Sequence, residues 1–332
     1  MSPTVSVIIP VYNSELTLYR LLDSLKSQIY KKFEVIVVDD GSNDNSVCIC
    51  NEFADSLDIY IYHTSRCGSG HARNYGIKIA KGKYVTFVDS DDYVEKNYLY
   101  QIVNYAEKYD LDLVFFNHVD ESENRIIYSP NGLSFNAYSN SALKKYASSL
   151  LRNSYWHTVW NKLYLKDLII KSNAKFNSEI RIGEDTCFNI DIYKNVERVG
   201  VIPDILYHYC LNKNSLLHSF KSYYYHDTKF VYFSEIRFFA DWSDNCIPLI
   251  NNDFLHHLNH YLISLFINRT SAKTKVIRQI LSDIDFTYLK IPLSHNNILN
   301  FMTFVLLKTK CPYLILIYSY ILYVGYRIKY HE

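Results

Sequence analysis

The stretch that most constrains this chain is Tyr84-Val85-Thr86-Phe87-Val88, which runs directly into Asp89-Ser90-Asp91-Asp92. An apolar, β-branched run of this length reads as a buried strand, and the sudden arrival of three carboxylates marks the rim of a sheet. In open α/β sheets, ligands bind just beyond the carboxyl ends of the strands, where the strand order switches. In an extended backbone, Asp89 and Asp91 would leave on the same side. Two like charges held that close need a cation or hydrogen-bond donors to compensate them. Mg²⁺ or Mn²⁺ bridging to a diphosphate would do so, since these ions take few carboxylates and complete their shells with phosphate and water. The plainer alternative is a solvated acidic turn.

The preceding chain supports a sheet. Val5-Ser6-Val7-Ile8-Ile9-Pro10 is a strand pattern. From Glu15 to Gln28, Leu18, Leu21, Leu22 and Leu25 recur at helical spacing, with Ser14 as N-cap. Phe33 to Val38 is a second strand pattern ending in Asp39-Asp40-Gly41-Ser42, so strand, helix and strand form a βαβ unit in under forty residues. A helix to about Phe53, a strand at Ile59–Tyr62, a Cys67-Gly68-Ser69-Gly70 loop and a helix from His71 to Ala80 complete the approach to the central strand. A dinucleotide-binding Rossmann enzyme would carry Gly-x-Gly-x-x-Gly after its first strand. Here that position reads Pro10-Val11-Tyr12-Asn13, and the Gly68-x-Gly70 pair suits a turn that admits a ligand close to backbone.

At 332 residues the chain can hold one large domain or two. A net charge of +1 gives no argument for nucleic acid. Seven cysteines without a Cys-x-x-Cys pair fit reduced thiols in a cytosolic protein, and Met1 to Pro10 lacks the pattern of a signal peptide.

Six motifs stand in one order: Ser6-Val7-Ile8-Ile9-Pro10-Val11-Tyr12-Asn13, Val37-Val38-Asp39-Asp40-Gly41-Ser42, Ala72-Arg73-Asn74-Tyr75-Gly76, Phe87-Val88-Asp89-Ser90-Asp91-Asp92, Val159-Trp160-Asn161-Lys162-Leu163 and Gly183-Glu184-Asp185-Thr186-Cys187-Phe188. Together they resemble family 2 of the inverting glycosyltransferases, of the bacterial surface-polysaccharide type, over residues 4 to 215. The resemblance implies the GT-A fold, a mostly parallel Rossmann-like α/β sheet flanked by helices. It implies an enzyme that moves a sugar from a nucleotide-diphosphate donor, with UDP the expected nucleotide, to an acceptor hydroxyl of a surface glycan or a polyprenyl-linked oligosaccharide.

On that resemblance Pro10, Val11, Tyr12, Asn13, Asp40, Gly68, Arg73, Asp89 and Ser90 are the nucleotide-binding residues. Asp40 would accept the uracil imide N–H and Tyr12 would lie near the base. Asp89 would bond the ribose and share the metal with Asp91, the direct ligand of Mn²⁺ or Mg²⁺, and His208 is a third candidate ligand. Arg73 would pair with diphosphate or with a loop acid. Inversion needs a base on the face opposite the leaving diphosphate; Asp185 takes that role, with Glu184 on the acceptor. Trp160 would stack on sugar, and Asn161 and Lys162 would donate to it. The competing structural readings are helix capping for Asp39, Asp40, Glu184 and Asp185, and a core position for Trp160. The chain departs from the family pattern at Tyr207-His208-Tyr209-Cys210, where Cys210 stands in place of an arginine. Phosphate charge would then fall to the metal, Arg73, Lys213 or His208.

The expected organisation is a glycosyltransferase domain over 1–215 and a mainly helical region over 216–332. In the latter, two apolar runs between Asn300 and Tyr330 flank Lys308-Thr309-Lys310-Cys311-Pro312. The second, Tyr313 to Tyr326, is shorter than the roughly 20 residues that span a bilayer. Tyrosines with Arg327 and Lys329 at its end suit a segment lying at the interface, with a core helix or a homodimer contact as rivals. The chain would then be cytoplasmic and peripheral at the inner face of the membrane. A catalytically inactive sugar-nucleotide binder and a nucleotidyltransferase are the alternatives in function. The intact Asp89, Asp91 and Asp185 argue against the first. The absence of a glycine- and arginine-rich activating loop near the first strand argues against the second.

Overall fold

A computed structural model of the chain describes residues 2–121, 136–152, 155–210, 223–268, 270, 272–284, 289 and 298–330. Two compact units divide the chain, Met1–Ser215 and Leu216–Glu332. Lys213, named above for the diphosphate, lies outside the described residues.

The first unit is built on a nine-stranded mixed sheet. Its strands are β1 (Val5–Val11), β2 (Phe33–Asp39), β3 (Ile59–His63), β4 (Tyr84–Phe87), β5 (Tyr93–Val94), β6 (Leu113–Asp120), β7 (Asn136–Ala137), β8 (Lys162–Leu165) and β9 (Val199–Tyr209). The order is β3-β2-β1-β4-β8-β6-β9-β5, with β7 also on β9. The four strands at the β3 end are parallel, with Ile8 level with both Ile36 and Phe87. Beyond β4 the sheet turns mixed, because β8 runs antiparallel to both β4 and β6. The order β2-β1-β4 puts a switch between β1 and β4, so ligands are expected at the carboxyl ends of these two strands.

The leucine spacing in the first helical segment has a direct consequence. α1 (Leu18–Lys26) buries Leu18, Leu21, Leu22 and Leu25, which at about 1.5–3 kcal/mol each anchor the helix on the sheet. The helix is shorter than the Glu15–Gln28 segment of the spacing argument, and its N-cap is Thr17. Ser14 does not cap through its side chain; that hydroxyl bonds Ser90 Oγ at 2.7 Å. α2 (Ser46–Glu52) and α3 (Ser69–Ile79) follow β2 and β3. Gly76 lets α3 press onto β1, since a Cβ there would meet Ile8 Cγ2 at 2.5 Å. Helices α4 (Tyr98–Lys108), α5 (Asn140–Lys144), α6 (Ala147–Arg152), α7 (Lys166–Lys171) and α8 (Glu184–Asn195) complete the unit.

The second unit is helical: α9 (Tyr224–Trp242), α10 (Ile247–Ile267), α11 (Lys273–Asp283), α12 (Ile298–Lys308) and α13 (Pro312–Tyr330), with a short turn of 3₁₀-helix at Asp244–Cys246. The last helix runs past the apolar Tyr313–Tyr326 segment to include Arg327 and Lys329. Among the described residues, no helix is long and apolar enough to cross a membrane.

Candidate active site

The carboxylates after β4 do not continue an extended strand. They form a tight turn in which Asp92 N–H donates to Asp89 C=O at 3.1 Å, so the same-side argument from strand geometry does not hold. Nor is the turn simply solvated. Asp92 is completely buried, with Oδ2 accepting from Tyr207 O–H at 2.6 Å and Oδ1 accepting from Cys210 N–H at 2.8 Å. Tyr207 also accepts from Asp89 N–H at 3.2 Å, so one phenol from β9 pins both ends of the turn. Arg20 of α1 donates to the Asp91 carbonyl at 2.6 Å, and Thr17 Oγ1 donates to the Ser90 carbonyl at 2.9 Å. The turn is therefore clamped from α1 on one side and from β9 on the other.

That clamp leaves Asp89 and Asp91 as the groups that can take up charge. Burial and the Asp89 charge push the Asp91 carboxyl up to about 6, against a smaller opposing pull from the Asp91 backbone and Arg20. The Asp89 and Asp91 carboxylates are hard oxygen donors of the kind a divalent cation takes while keeping further positions for phosphate and water. Among the described residues no group of three or more His, Cys, Asp or Glu side chains could hold a metal.

Arg73, on α3, is the hub of the site. It is 5% exposed. Its Nη2 donates to Asp89 Oδ1 at 2.8 Å, and its Nη1 reaches Asp185 Oδ1 at 3.1 Å and Glu184 Oε1 at 3.2 Å. Burial alone would lower the guanidinium's affinity for its proton, but the charges of Asp185, Asp89 and Glu184 outweigh it and raise it further. Arg73 is therefore committed to acids. The acids sit at the start of α8, whose N-cap Gly183 takes a left-handed φ of 78° that aims the first turn at Arg73. The Ala174–Gly183 approach is held by Asn74, which exchanges two hydrogen bonds with the Phe176 backbone at 2.8 and 2.9 Å. Burial pushes the Asp185 carboxyl up to about 7; Arg73 opposes this, and the Glu184 and Asp89 charges add to it.

On the other side of the switch, β1 and β2 deliver Pro10, Val11, Tyr12, Asn13 and Asp40. Asp40 N–H bonds the Val11 carbonyl at 2.7 Å, which holds the two strand ends together. The Asp40 side chain accepts from Thr64 O–H at 2.8 Å, Cys67 N–H at 2.8 Å and Gly68 N–H at 2.6 Å. It organises the loop that leads into α3, a structural duty its expected contact with a base would have to share. Asp39 is likewise engaged, with the Ser42 N–H and His63. Tyr12 is exposed, with the Arg66 guanidinium 4.8 Å from its ring centroid. Asn13 takes a positive φ of 49° and accepts from Asn43 N–H at 2.9 Å.

Four sequence expectations do not take the roles expected of them, although the Lys162 charge reaches Asp185. Trp160 is 7% exposed, stacked on Tyr207 at 4.8 Å and Tyr209 at 5.5 Å, so its faces belong to the core. Asn161 and Lys162 are fully buried. The Lys162 ammonium donates inward, to Thr158 C=O and to Asn161 Oδ1, and burial holds its pKa well below the usual lysine range. These residues shape the core beneath the site. His208 is stacked on Tyr93 at 4.1 Å, and its two nitrogens face Glu95 at 2.8 Å and Glu121 at 3.1 Å, leaving neither for a metal shared with Asp91. Cys210, in the place of the family arginine, contributes its backbone N–H to Asp92.

A mixed sheet with acids gathered at its carboxyl ends, flanking helices and a helical extension after it in the chain has the GT-A architecture of nucleotide-sugar transferases. Residues 6–170 match the model of glycosyl transferase family 2, and through this N-terminal unit the chain belongs to that family. The uncharacterized glycosyltransferase EpsJ of Bacillus subtilis is 35% identical over 222 residues, 65% of this chain and 63% of EpsJ. The chain thus covers less than two thirds of that relative. Among solved structures, Staphylococcus aureus TarS 1–349 in complex with UDP-GlcNAc superposes with a TM-score of 0.70 at 21% identity, covering 98% of this chain and 92% of TarS 1–349. The mannosyltransferase PcManGT of Pyrobaculum calidifontis, in complex with GDP-Man and Mn²⁺, superposes with a TM-score of 0.55 at 16% identity, covering 98% and 88%.

Proposed function

We propose that the protein is an inverting, metal-dependent glycosyltransferase that takes a sugar from a UDP-sugar and gives it to a hydroxyl of a surface glycan or of a lipid-linked precursor. The observation that carries this reading is the single guanidinium of Arg73 holding Asp89, Glu184 and Asp185 together at the carboxyl end of β4. Transfer with inversion needs a carboxylate for the donor end and a base for the acceptor, at one place and on opposite sides of one carbon.

The nucleotide would lie along Pro10–Asn13 and Asp40, with Tyr12 open to stack on a base. Asp89 and Asp91 would hold Mg²⁺ or Mn²⁺, which when bound stabilises negative charge on the departing diphosphate. Asp185 takes the proton from the acceptor hydroxyl. The oxygen then bonds to the anomeric carbon from the face opposite the phosphate, and the carbon–oxygen bond to UDP breaks with its electron pair on the diphosphate. A carboxyl that titrates near 7 is a suitable acceptor for that proton. Glu184, which also accepts from Ser69 O–H at 3.1 Å, lines the acceptor side. The UDP-GlcNAc bound to TarS and the Mn²⁺ bound to PcManGT support the classes of donor and metal.

The test is UDP release from a panel of UDP-sugars with and without Mn²⁺, together with UDP affinity by calorimetry. Metal-stimulated release supports the transferase. Tight UDP binding with no release from any donor would make the chain a binding protein, and absence of UDP binding would overturn the reading.

A further inference from the structure

The C-terminal helices present an apolar surface that the transferase reading does not use. Among the described residues, twelve of the twenty large apolar side chains that are exposed fall between Ile298 and Ile328. They are not scattered. On α13 the exposed stripe runs Leu314, Ile317, Ile321, Val324 and Ile328, positions that share one helical face. On α12 it runs Ile298, Phe301, Met302 and Val305.

The opposite faces of both helices are already occupied, so the exposed stripes are not core faces turned the wrong way. Thr303 Oγ1 donates to Tyr318 O–H at 3.1 Å, and Tyr318 O–H donates to the Leu299 carbonyl at 2.9 Å, which locks α12 to α13. Asn300 donates to Asn252 and accepts from Asn259, both on α10, at 2.8 and 2.9 Å. Tyr323 stacks on Phe266 of α10 at 5.8 Å. A buried polar network of this kind fixes which side of each helix faces inward. α13 is therefore apolar on both faces, a pattern that calls for a second apolar environment.

Charge says which environment. Between Asp285 and Glu332 the sequence has no acidic residue and five lysines and arginines, in a chain whose total is only +1. Four of them bracket α13: Lys308 and Lys310 at the turn before it, and Arg327 and Lys329 in its last turn. The helix, at about 1.5 Å per residue, separates these pairs by nearly thirty ångströms. Tyr313 and Tyr320 lie exposed on the same helix, as interfacial tyrosines do. Among the described residues no helix is long and apolar enough to cross a bilayer.

We propose that the α12–α13 face docks on an anionic lipid surface, with the apolar stripes entering the headgroup boundary and the lysines and arginines meeting lipid phosphates. Two weak signals, apolar insertion and basic residues, are together what reversible membrane docking requires. A second copy of the chain is the rival occupant, but the excess of cations at both ends of the stripe would repel its own copy in an isologous contact.

The full chain is sedimented with phosphatidylcholine vesicles containing phosphatidylglycerol, and with pure phosphatidylcholine vesicles. Binding to the anionic vesicles that weakens as salt rises is the expected result. Ile317→Glu with Ile321→Glu, both exposed and so compatible with folding, lowers that binding more than about tenfold, and Lys308→Gln with Lys310→Gln lowers it less. Far-ultraviolet circular dichroism verifies that each variant keeps its helices. Failure to bind anionic vesicles, equal binding to neutral ones, or binding unaffected by the glutamate pair overturns the proposal. So does a dimer in size-exclusion chromatography that the glutamate pair dissociates.

Discussion

Arg73 and Asp185 meet at 3.1 Å, Nη1 to Oδ1, while the other arm of the same guanidinium holds Asp89 at 2.8 Å. The residue expected to bind donor and metal and the residue expected to receive the acceptor's proton are thus joined through one buried cation. Any change in the charge on Asp89 is felt at Asp185 through this group, because little solvent separates them.

Replacing Arg73 by methionine should lower stability by about 3 kcal/mol. That is the low end for removing one partner of a buried ionic cluster, because Asp89 and Asp185 keep a quarter and a fifth of their side chains exposed. Arg73→Lys keeps the charge but cannot fork to three acids, so it should recover part of the melting temperature and little of the transfer rate. Thermal denaturation read by circular dichroism, beside UDP release, checks both. A fully active lysine variant would show that charge alone matters.

Asp91→Asn should abolish metal stimulation of UDP release, since an amide cannot supply the negative charge a hard cation needs. The fold should persist: the turn is clamped through the Asp91 carbonyl, Ser90 and Asp92, not through the Asp91 carboxylate. Undiminished Mn²⁺ stimulation in this variant would remove Asp91 from the metal.

Asp40→Ala combines two effects. Its carboxylate accepts three part-buried bonds from the Thr64–Gly68 loop, so removing it costs the loop those bonds, each worth about 0.5–1.5 kcal/mol net. A base-contacting role would add a loss of UDP affinity of about tenfold or more. Asp40→Asn separates them in part: its one oxygen can still accept from Thr64 O–H and Cys67 N–H, while the bond from Gly68 N–H is lost. If calorimetry finds UDP affinity intact in a folded Asp40→Asn, the residue serves the loop alone.

The parts of this molecule legible from residues were those with local periodicity or fixed spacing. α1 follows from four leucines, and the acid-bearing strand ends follow from apolar runs that stop at carboxylates. The Trp160-Asn161-Lys162 segment shows the limit. Residue type suggested a sugar platform, but whether a tryptophan face is open depends on Tyr207 and Tyr209, nearly fifty residues away in the chain and adjacent only after β9 joins the sheet. His208 misled for the same reason, since its acids Glu95 and Glu121 come from other segments. Tyr207, which pins the Asp89–Asp92 turn, was missed although it lies in the aromatic run of β9. Its only sequence signal was a tyrosine at a strand end in a chain that has thirty-one others.

Asp185→Asn tests the base and the pH dependence together. The ordinary value for this carboxyl is 3.8, and burial with its acidic neighbours raises it to about 7 in the folded chain. A base must be ionised, so transfer should rise with pH and reach half its plateau near 7. Stability runs the other way. Between about pH 4 and pH 7 the native carboxyl holds a proton that the unfolded chain has released, so this group's contribution to stability falls as pH rises through that window. Asparagine removes both dependences. Transfer should fall by roughly 10²–10⁴, the usual worth of a general base, and the melting temperature should vary less with pH over the same interval. UDP affinity should stay near that of the unsubstituted protein, since Asp185 faces the acceptor in this reading. Capping alone would predict no loss, because asparagine caps a helix about as well as aspartate. Retained transfer would therefore move the base to Glu184 or elsewhere. Lost UDP binding would put Asp185 on the donor side of the site, where the guanidinium it shares with Asp89 already gives it a route.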